Sequence, residues 1–329
     1  MDTEAIDPSD IRFFSGSSNS LIAADIAHHL GVPLEPTKIC RFGNDCLYIQ
    51  LGASVRSRKV FIVQSLCPPV NDHLMELLMM LDIARGAAAR EIHAIIPYFS
   101  FARSDKKDAP RISITARLVA DLLQTSGATH VMTMVLHSPQ VHGFFGIPTD
   151  PLTSRPVFKR FFQERDLSSA IVVAPDMGHA NSAARFAKDL DLPVTAGSKV
   201  RISDTEVRIG QIVGQQVRGY KRALVFDDEI ATGGSILELS RVLIEQGVEE
   251  IWVACTHGVF VKGALEKLSA IPQIAGIVTT DTVPIPVERR SPKLQVLPVG
   301  QVFGEAIRRN YLRQSIGDLY VFGDENPSS

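Results

Sequence analysis

Asp227 and Asp228 are adjacent carboxylates that close the short apolar run Arg222–Phe226, and Thr232-Gly-Gly-Ser235 follows four residues later, ahead of a helical pattern from Ile236. Each part of this stretch has chemistry available to it. Two neighbouring carboxylates accept hydrogen bonds from vicinal sugar hydroxyls or hold a hydrated divalent cation. Gly233 and Gly234 let backbone N–H groups approach a phosphate closely, at the positive end of the helix that follows. Thr232 and Ser235 add hydroxyl donors. Acids first and a phosphate cradle second suit a phosphorylated sugar better than the tail of a nucleoside triphosphate. The plainer alternative is an ordinary strand–turn–helix with an acidic turn.

Such a loop needs a sheet to stand on, and the chain supplies the pattern for one. Short β-branched runs at Lys59–Gln64, Glu91–Pro97, Val131–Leu136, Ala170–Ala174, Arg222–Phe226 and Ile251–Cys255 alternate with helical periods such as Asp72–Arg85, Ile114–Thr125 and Ile236–Gln246. This alternation predicts α/β architecture, with parallel sheets flanked by helices on both faces. A weak internal repeat adds to it. Leu118–His137 runs helix, Gly127, strand, His137, and Glu238–His257 repeats the order with Gly247 and His257 at the same spacing. Two copies of one α/β unit fit 329 residues, joined near the Pro- and Thr-rich Pro148–Pro156. Only the second copy carries the Thr-Gly-Gly-Ser cradle; the first has the basic loop Arg103–Arg111 in its place.

Composition excludes several classes of function. With 45% apolar and 21% charged residues, the chain has the make-up of a soluble globular protein. A net charge of −2 favours neither nucleic acid nor an anionic membrane. The acidic start Met1-Asp-Thr-Glu-Ala lacks the features of a signal peptide, and apolar stretches such as Leu74–Leu81 are too short and too charged to span a bilayer, so a cytoplasmic address is expected. Cys40, Cys46, Cys67 and Cys255 show no CxxC spacing, which argues against a disulfide framework or a zinc site. There is no GxxxxGK[ST] or GxGxxG stretch, so a nucleotide would not sit on a P-loop or a Rossmann turn.

Ala223–Ser235 resembles the phosphoribosyl diphosphate (PRPP) loop of type I phosphoribosyltransferases and of PRPP synthase. The rest of the chain chooses between them. Phe14-Ser-Gly-Ser, Arg41-Phe42, Cys67-Pro-Pro-Val-Asn-Asp-His-Leu-Met-Glu-Leu, Ile96-Pro-Tyr-Phe-Ser-Phe-Ala-Arg103, Ile114-Thr-Ala-Arg, Ala174-Pro-Asp-Met-Gly178, Thr256-His-Gly and Glu305-Ala-Ile-Arg-Arg309 occur in the order and spacing of the PRPP synthase (ribose-phosphate diphosphokinase) family. The likeness runs from Phe13 to about Tyr320. It implies two tandem phosphoribosyltransferase-type domains: residues 10–150 on the ATP side, joined by a C-terminal helix within 302–320, and residues 151–301 with the ribose 5-phosphate loop. It also implies Mg²⁺ as cofactor, and a dimer-based homo-oligomer, often a hexamer, in which a neighbouring subunit completes the site. The implied reaction transfers the β,γ-diphosphoryl group of ATP to the anomeric hydroxyl of ribose 5-phosphate and releases AMP.

Roles follow by position. Lys199 and Arg201 fall where the family has a mobile catalytic loop, and would supply a point charge and a forked donor to the transferring group; taken alone, such a pair in a polar loop is solvated surface. Asp227, Asp228, Thr232, Gly233, Gly234 and Ser235 would bind ribose 5-phosphate. Phe42, Asn44, Cys46, Arg103, Ser104, Asp105 and His137 occupy the ATP positions, and His137 and Asp176 the metal positions. His257, the repeat partner of His137, is expected to be structural.

Several residues depart from the family pattern. Asn44 and Cys46 stand where an Asp and a Glu usually orient adenine, with Asp45 in a usual glycine place. Val135 replaces the Asp that normally precedes Leu-His, Ser104 replaces a Gln, His179-Ala180 replace the glycines after Gly178, and Ala231 replaces an Asp in the PRPP loop. The acids lost cluster at the ATP end. A non-catalytic paralogue that assembles with a true synthase is therefore the alternative to an active enzyme, and a nucleobase phosphoribosyltransferase would leave the first domain unexplained.

Overall fold

The computed structural model describes residues 6–201, 207–214 and 217–320; the side chains of residues 198–201 and 207–214 lie outside that description. Two compact units divide the chain: residues 1–153 with 282–284 and 298–329, and residues 154–281 with 285–297.

In the first unit, β1 (Ile11–Ser15), α1 (Ser20–Leu30), β2 (Leu34–Glu35), β3 (Thr37–Arg41), β4 (Leu47–Leu51), β5 (Lys59–Val63), α2 (Val70–Gly86), β6 (Glu91–Ile96), α3 (Thr115–Ser126), β7 (His130–Met134) and β8 (Thr149–Leu152) follow one another. Six of the strands make a parallel sheet in the order β2-β1-β5-β6-β7-β8, while β3 and β4 form a separate antiparallel hairpin. Val60–Val63 and Ile92–Ile96 are wholly buried, as strands covered on both faces must be. A buried carboxylate and a buried imidazole meet at the sheet's far edge: His130 Nε2 lies 2.7 Å from Asp150, and Tyr320 Oη donates to the same carboxylate at 2.5 Å.

The second unit holds α4 (Arg155–Gln163), β9 (Ala170–Ala174), α5 (Ala180–Asp189), β10 (Val194–Arg201), β11 (Val207–Gly214), β12 (Arg222–Ile230), α6 (Gly234–Glu245), β13 (Glu250–Gly258), α7 (Ala264–Ser269), β14 (Ile274–Thr280) and β15 (Leu294–Leu297). Its strand order is β11-β10-β9-β12-β13-β14-β15, parallel except for the β10–β11 ribbon. Strand alternation sorts the core into two layers. Ile171, Val173, Ala223 and Val225 pack with Ile236, Leu239 and Leu243 of α6. Val172, Ala174, Leu224 and Phe226 pack with Phe158 and Phe162 of α4 and Phe186 of α5.

The last helix, α8 (Gly300–Tyr311), belongs to the first unit and crosses α1. A Cβ on Gly304 would stand 2.5 Å from the His29 ring, so glycine permits this close crossing. The α/β class with two sheet-and-helix domains holds. Two details differ from the sequence expectation. β12 runs on to Ile230, so both carboxylates belong to the strand instead of following it, and α6 starts at Gly234, two residues before the apolar period begins. Among the described residues no helix is long and apolar enough to cross a membrane.

Candidate active site

The strand order of the second unit reverses between β9 and β12. The connection from β9 goes outward through α5 to β10, whereas the chain from β12 continues the other way to β13. Such a reversal opens a crevice beyond the carboxyl ends of the two strands, because their connections leave in opposite directions. Pairing of β12 with β9 ends at Val225–Val173, and β12 continues for five residues past it. Those residues include Asp227, Asp228 and Glu229, all buried.

Asp176 lies two residues past the end of β9 and caps the 3-10 turn Met177–His179, its Oδ1 accepting from the His179 N–H at 3.2 Å. The His179 ring stands within this group of acids. Its Nδ1 lies 2.9 Å from Asp176 Oδ1, and its Nε2 lies 3.0 Å from Asp228 Oδ1 and 3.7 Å from Asp227 Oδ1. Burial opposes charge on this ring, but the hydrogen bonds to Asp176 and Asp228 and the charge of Asp227 outweigh it and hold His179 up to about 11. Burial, and then the Asp228 charge, push the Asp227 carboxyl well above the ordinary carboxylate value, with His179 pulling the other way.

Beyond the acids the chain turns into α6. Gly233 is the N-cap, with φ of +75°, and it offers no side chain to the amides of the first helical turn. The positive φ favours glycine, and a Cβ there would lie 3.3 Å from the Ala264 Cβ on α7, a tight contact. The carbonyls of Ile230 and Ala231 accept from Phe260 and Val261, which pins the start of the loop to the end of β13. The result is a fixed turn whose first helical amides can face an anion.

The structure therefore brings Asp227 and Asp228 together with Asp176 and sets the Thr232–Ser235 turn directly after the two β12 acids. Lys199 and Arg201 lie on the backbone of β10, and their side chains fall outside the described residues. His179 is the residue that sequence reasoning left unused. Its only signal was an imidazole in a glycine's place three residues after Asp176.

The first unit reverses its strand order between β1 and β5, but its switch point is filled by side chains. Glu76 accepts from the Ser17 N–H at 3.1 Å, from Ser17 Oγ at 2.7 Å and from Gln64 Nε2 at 2.8 Å. The expected ATP residues lie elsewhere in this unit, on the β3–β4 hairpin and past β6 and β7. Phe42 is 56% exposed at the hairpin tip, edge-on to Tyr48. Asn44 Oδ1 accepts from the Cys46 N–H at 3.2 Å, and Asp45 takes the left-handed backbone (φ 69°) that its usual glycine would adopt freely. Arg41 ties this turn down, reaching Asp45 at 3.0 Å and Asp72 of α2 at 2.9 Å. Arg103 ends the 3-10 turn after β6 and is exposed. Ser104 Oγ accepts from the Thr115 N–H at 3.2 Å, fastening the basic loop to the start of α3, and Asp105 is half-buried beside it.

The two repeat histidines differ for a structural reason. β13 extends through His257, which is buried within the strand, whereas β7 stops at Met134 and leaves His137 half-buried beyond its end. All four cysteines are free, with Cys67 and Cys255 buried. Burial pushes the Cys67 thiol up to about 11.

A parallel sheet with an acid pair and a glycine-opened helix at its switch point is a unit of the phosphoribosyltransferase type. Comparison with known proteins narrows the class. Residues 11–127 match the N-terminal domain of ribose phosphate pyrophosphokinase, and residues 208–321 match the phosphoribosyl synthetase-associated domain. The chain is 42% identical over 318 residues to the ribose-phosphate pyrophosphokinase of Deinococcus radiodurans, covering 95% of this chain and 98% of that one. It is 41% identical over 311 residues to the ribose-phosphate pyrophosphokinase of Synechococcus elongatus, with 94% and 93% covered. The phosphoribosylpyrophosphate synthetase crystal structure from Mycobacterium smegmatis superposes with a TM-score of 0.86 at 32% identity, covering 92% of this chain and 99% of that one. The chain belongs to the ribose-phosphate pyrophosphokinase family.

Proposed function

We propose that this protein is a ribose-phosphate diphosphokinase, which transfers the diphosphoryl group of ATP to ribose 5-phosphate. The observation that carries the reading is the order of groups at the switch point of the second unit. Asp227 and Asp228 are held on β12 for vicinal hydroxyls, and the Gly233-capped turn follows for the 5-phosphate. In the reaction the anomeric hydroxyl oxygen bonds to the β-phosphorus of ATP and gives up its proton. The bond from that phosphorus to the α-phosphate oxygen breaks, and AMP departs.

Little covalent work falls to the protein in such a transfer, so positioning and charge neutralisation dominate. Lys199 and Arg201, carried on β10, are the cations proposed for the transferring group. Phe42, Asn44, Cys46, Arg103, Ser104 and Asp105 are proposed to receive ATP. His137 would hold Mg²⁺ beside the ATP polyphosphate, where the ion would neutralise charge. Asp176, whose Oδ1 accepts from the ring and the main-chain N–H of His179, is the residue proposed to hold a metal ion on the sugar side. The proposal carries with it a homo-oligomeric enzyme of the cytoplasm.

Asn44, Cys46 and Val135 favour a second reading, a catalytically impaired subunit that assembles with an active synthase. The sugar site is tested by calorimetric titration of ribose 5-phosphate into wild type and Asp228→Asn. A loss of at least tenfold in affinity, the scale of one charge-assisted hydrogen bond at about 1.5–3 kcal/mol, is expected. Equal affinity would remove Asp228 from the sugar site.

A further inference from the structure

The second sheet has another end, where β9, β12 and β13 begin and from which Asp227 and Asp228 point away along β12. Arg222 opens β12 beside Glu250, the first residue of β13, and Leu224 stands beside Trp252 further along the same two strands. Residues two apart on a strand share a face, so all four lie on one side of the sheet. Gly276 of β14 pairs with Trp252, and a Cβ there would run into the indole, so glycine makes room for the ring. Together with Phe162 and with Arg165, just past α4, these residues line a cavity of about 150 Å³. Its floor is apolar, since Phe162 and Leu224 are buried.

The two arginines of the wall are unequally served. Arg222 meets Asp166 at 2.7 Å and Glu250 at 3.1 Å, while Trp252 Nε1 donates to the other Glu250 oxygen at 2.7 Å. Both acids of the cavity are thereby engaged. Arg165 donates to the Phe161 carbonyl and, at 3.5 Å, to Gln295 Oε1, and among the described residues no carboxylate is in ion-pair contact with it. Its guanidinium is fixed by rings instead, 3.3 Å from the centre of Phe161 and 5.1 Å from that of Trp252. Burial lowers its pKa from the ordinary value, as expected of a half-buried cation short of negative charge. A guanidinium held flat, with part of its donor fork unused, is set to receive a planar anion.

Size and charge narrow the class of that anion. Sites for drug-sized ligands run to roughly 300–1,000 Å³, so this cavity admits a molecule of few heavy atoms. Asp166 and Glu250 on the same wall oppose a dianion, and the Phe162–Leu224 floor favours a ligand with a hydrocarbon body. We propose that this cavity binds a small organic carboxylate, with the anionic end on the Arg165 fork and a short apolar body against Phe162, Leu224 and Trp252. The site is separate from the acid pair and the phosphate turn, and the inference does not rest on their assignment.

Trp252 is the one tryptophan of the chain, so its emission reports this cavity alone. The full-length protein is titrated at constant ionic strength with sodium isobutyrate and with isobutyramide, which keeps the shape without the charge, for wild type and Arg165→Gln. The expected result is a saturable change in Trp252 emission with isobutyrate, and an affinity about tenfold weaker or worse for the amide and for Arg165→Gln. A wild type with no saturable change overturns the proposal, as do equal affinities for acid and amide, or undiminished affinity in a folded Arg165→Gln. Inorganic phosphate is the third titrant, and tighter binding of phosphate than of isobutyrate would overturn the choice of a carboxylate. Should Arg165→Gln fail to fold, the acid–amide comparison in wild type decides alone.

Discussion

Gly233→Ala is the sharpest probe of the phosphate turn, because its effect is set by two quantities in the structure. The backbone there has φ of +75°, and holding a residue with a Cβ in left-handed geometry costs about 1–2 kcal/mol. The new Cβ would also stand 3.3 Å from the Ala264 Cβ, a contact that α7 must relieve by a few tenths of an ångström. This sits at the low end of the overpacking range of about 1–3 kcal/mol. The chain has two ways to respond. It can keep the turn and lose about 2 kcal/mol of stability in the second unit, read by urea unfolding. Alternatively it rotates φ, withdraws the first amides of α6 from the phosphate position and loses about 5- to 30-fold in ribose 5-phosphate affinity, the equivalent of one to two kcal/mol. ATP affinity is unchanged in either case. Adding Ala264→Gly restores only the contact part, since it leaves φ untouched. A Gly233→Ala variant within about 0.5 kcal/mol of wild type in stability, and within measurement error in ribose 5-phosphate affinity, would refute the assignment of this glycine.

Val135 is a β-branched residue at φ of 41°, and Val135→Asn, which tolerates that backbone, is expected to raise stability by about 1 kcal/mol in urea unfolding; a decrease would show that its side-chain packing outweighs the strain. Glu305 on α8 is held down to about 2, first by Arg308, against burial, and then by Arg309. Its folded value lies below the ordinary 4.5, so its contribution is present above pH 4.5 and is lost as pH falls through about 2. Glu305→Gln should therefore flatten the acid limb of the pH–stability curve in that window, and parallel limbs would show that the ion pairs contribute nothing.

Much of the fold was legible because buried parallel strands read as continuous apolar runs. Lys59–Val63, Glu91–Ile96 and Ala170–Ala174 fall within the stretches expected from sequence. The β3–β4 hairpin and the β10–β11 ribbon were not legible. Thr37–Arg41 and Val207–Gly214 lack the apolar run of a covered strand, since neither lies within a parallel sheet interior. The end of β12 was missed for a related reason. Asp227, Asp228 and Glu229 interrupt the apolar pattern, yet register with β13 carries the strand to Ile230. At the candidate site the acid pair and the glycines announced themselves by type and spacing. The partner of the acids did not. His179 is distant from β12 in sequence, and only the reversal of strand order between β9 and β12 brings its ring to Asp228.

The central claim is a diphosphoryl transfer, and phosphorus NMR reads it directly. Purified protein is incubated with Mg²⁺, ATP and ribose 5-phosphate. The account predicts that AMP and PRPP resonances grow together in equal amounts, with no ADP formed. Bound ribose 5-phosphate with no PRPP produced, or ADP in place of AMP, would contradict it.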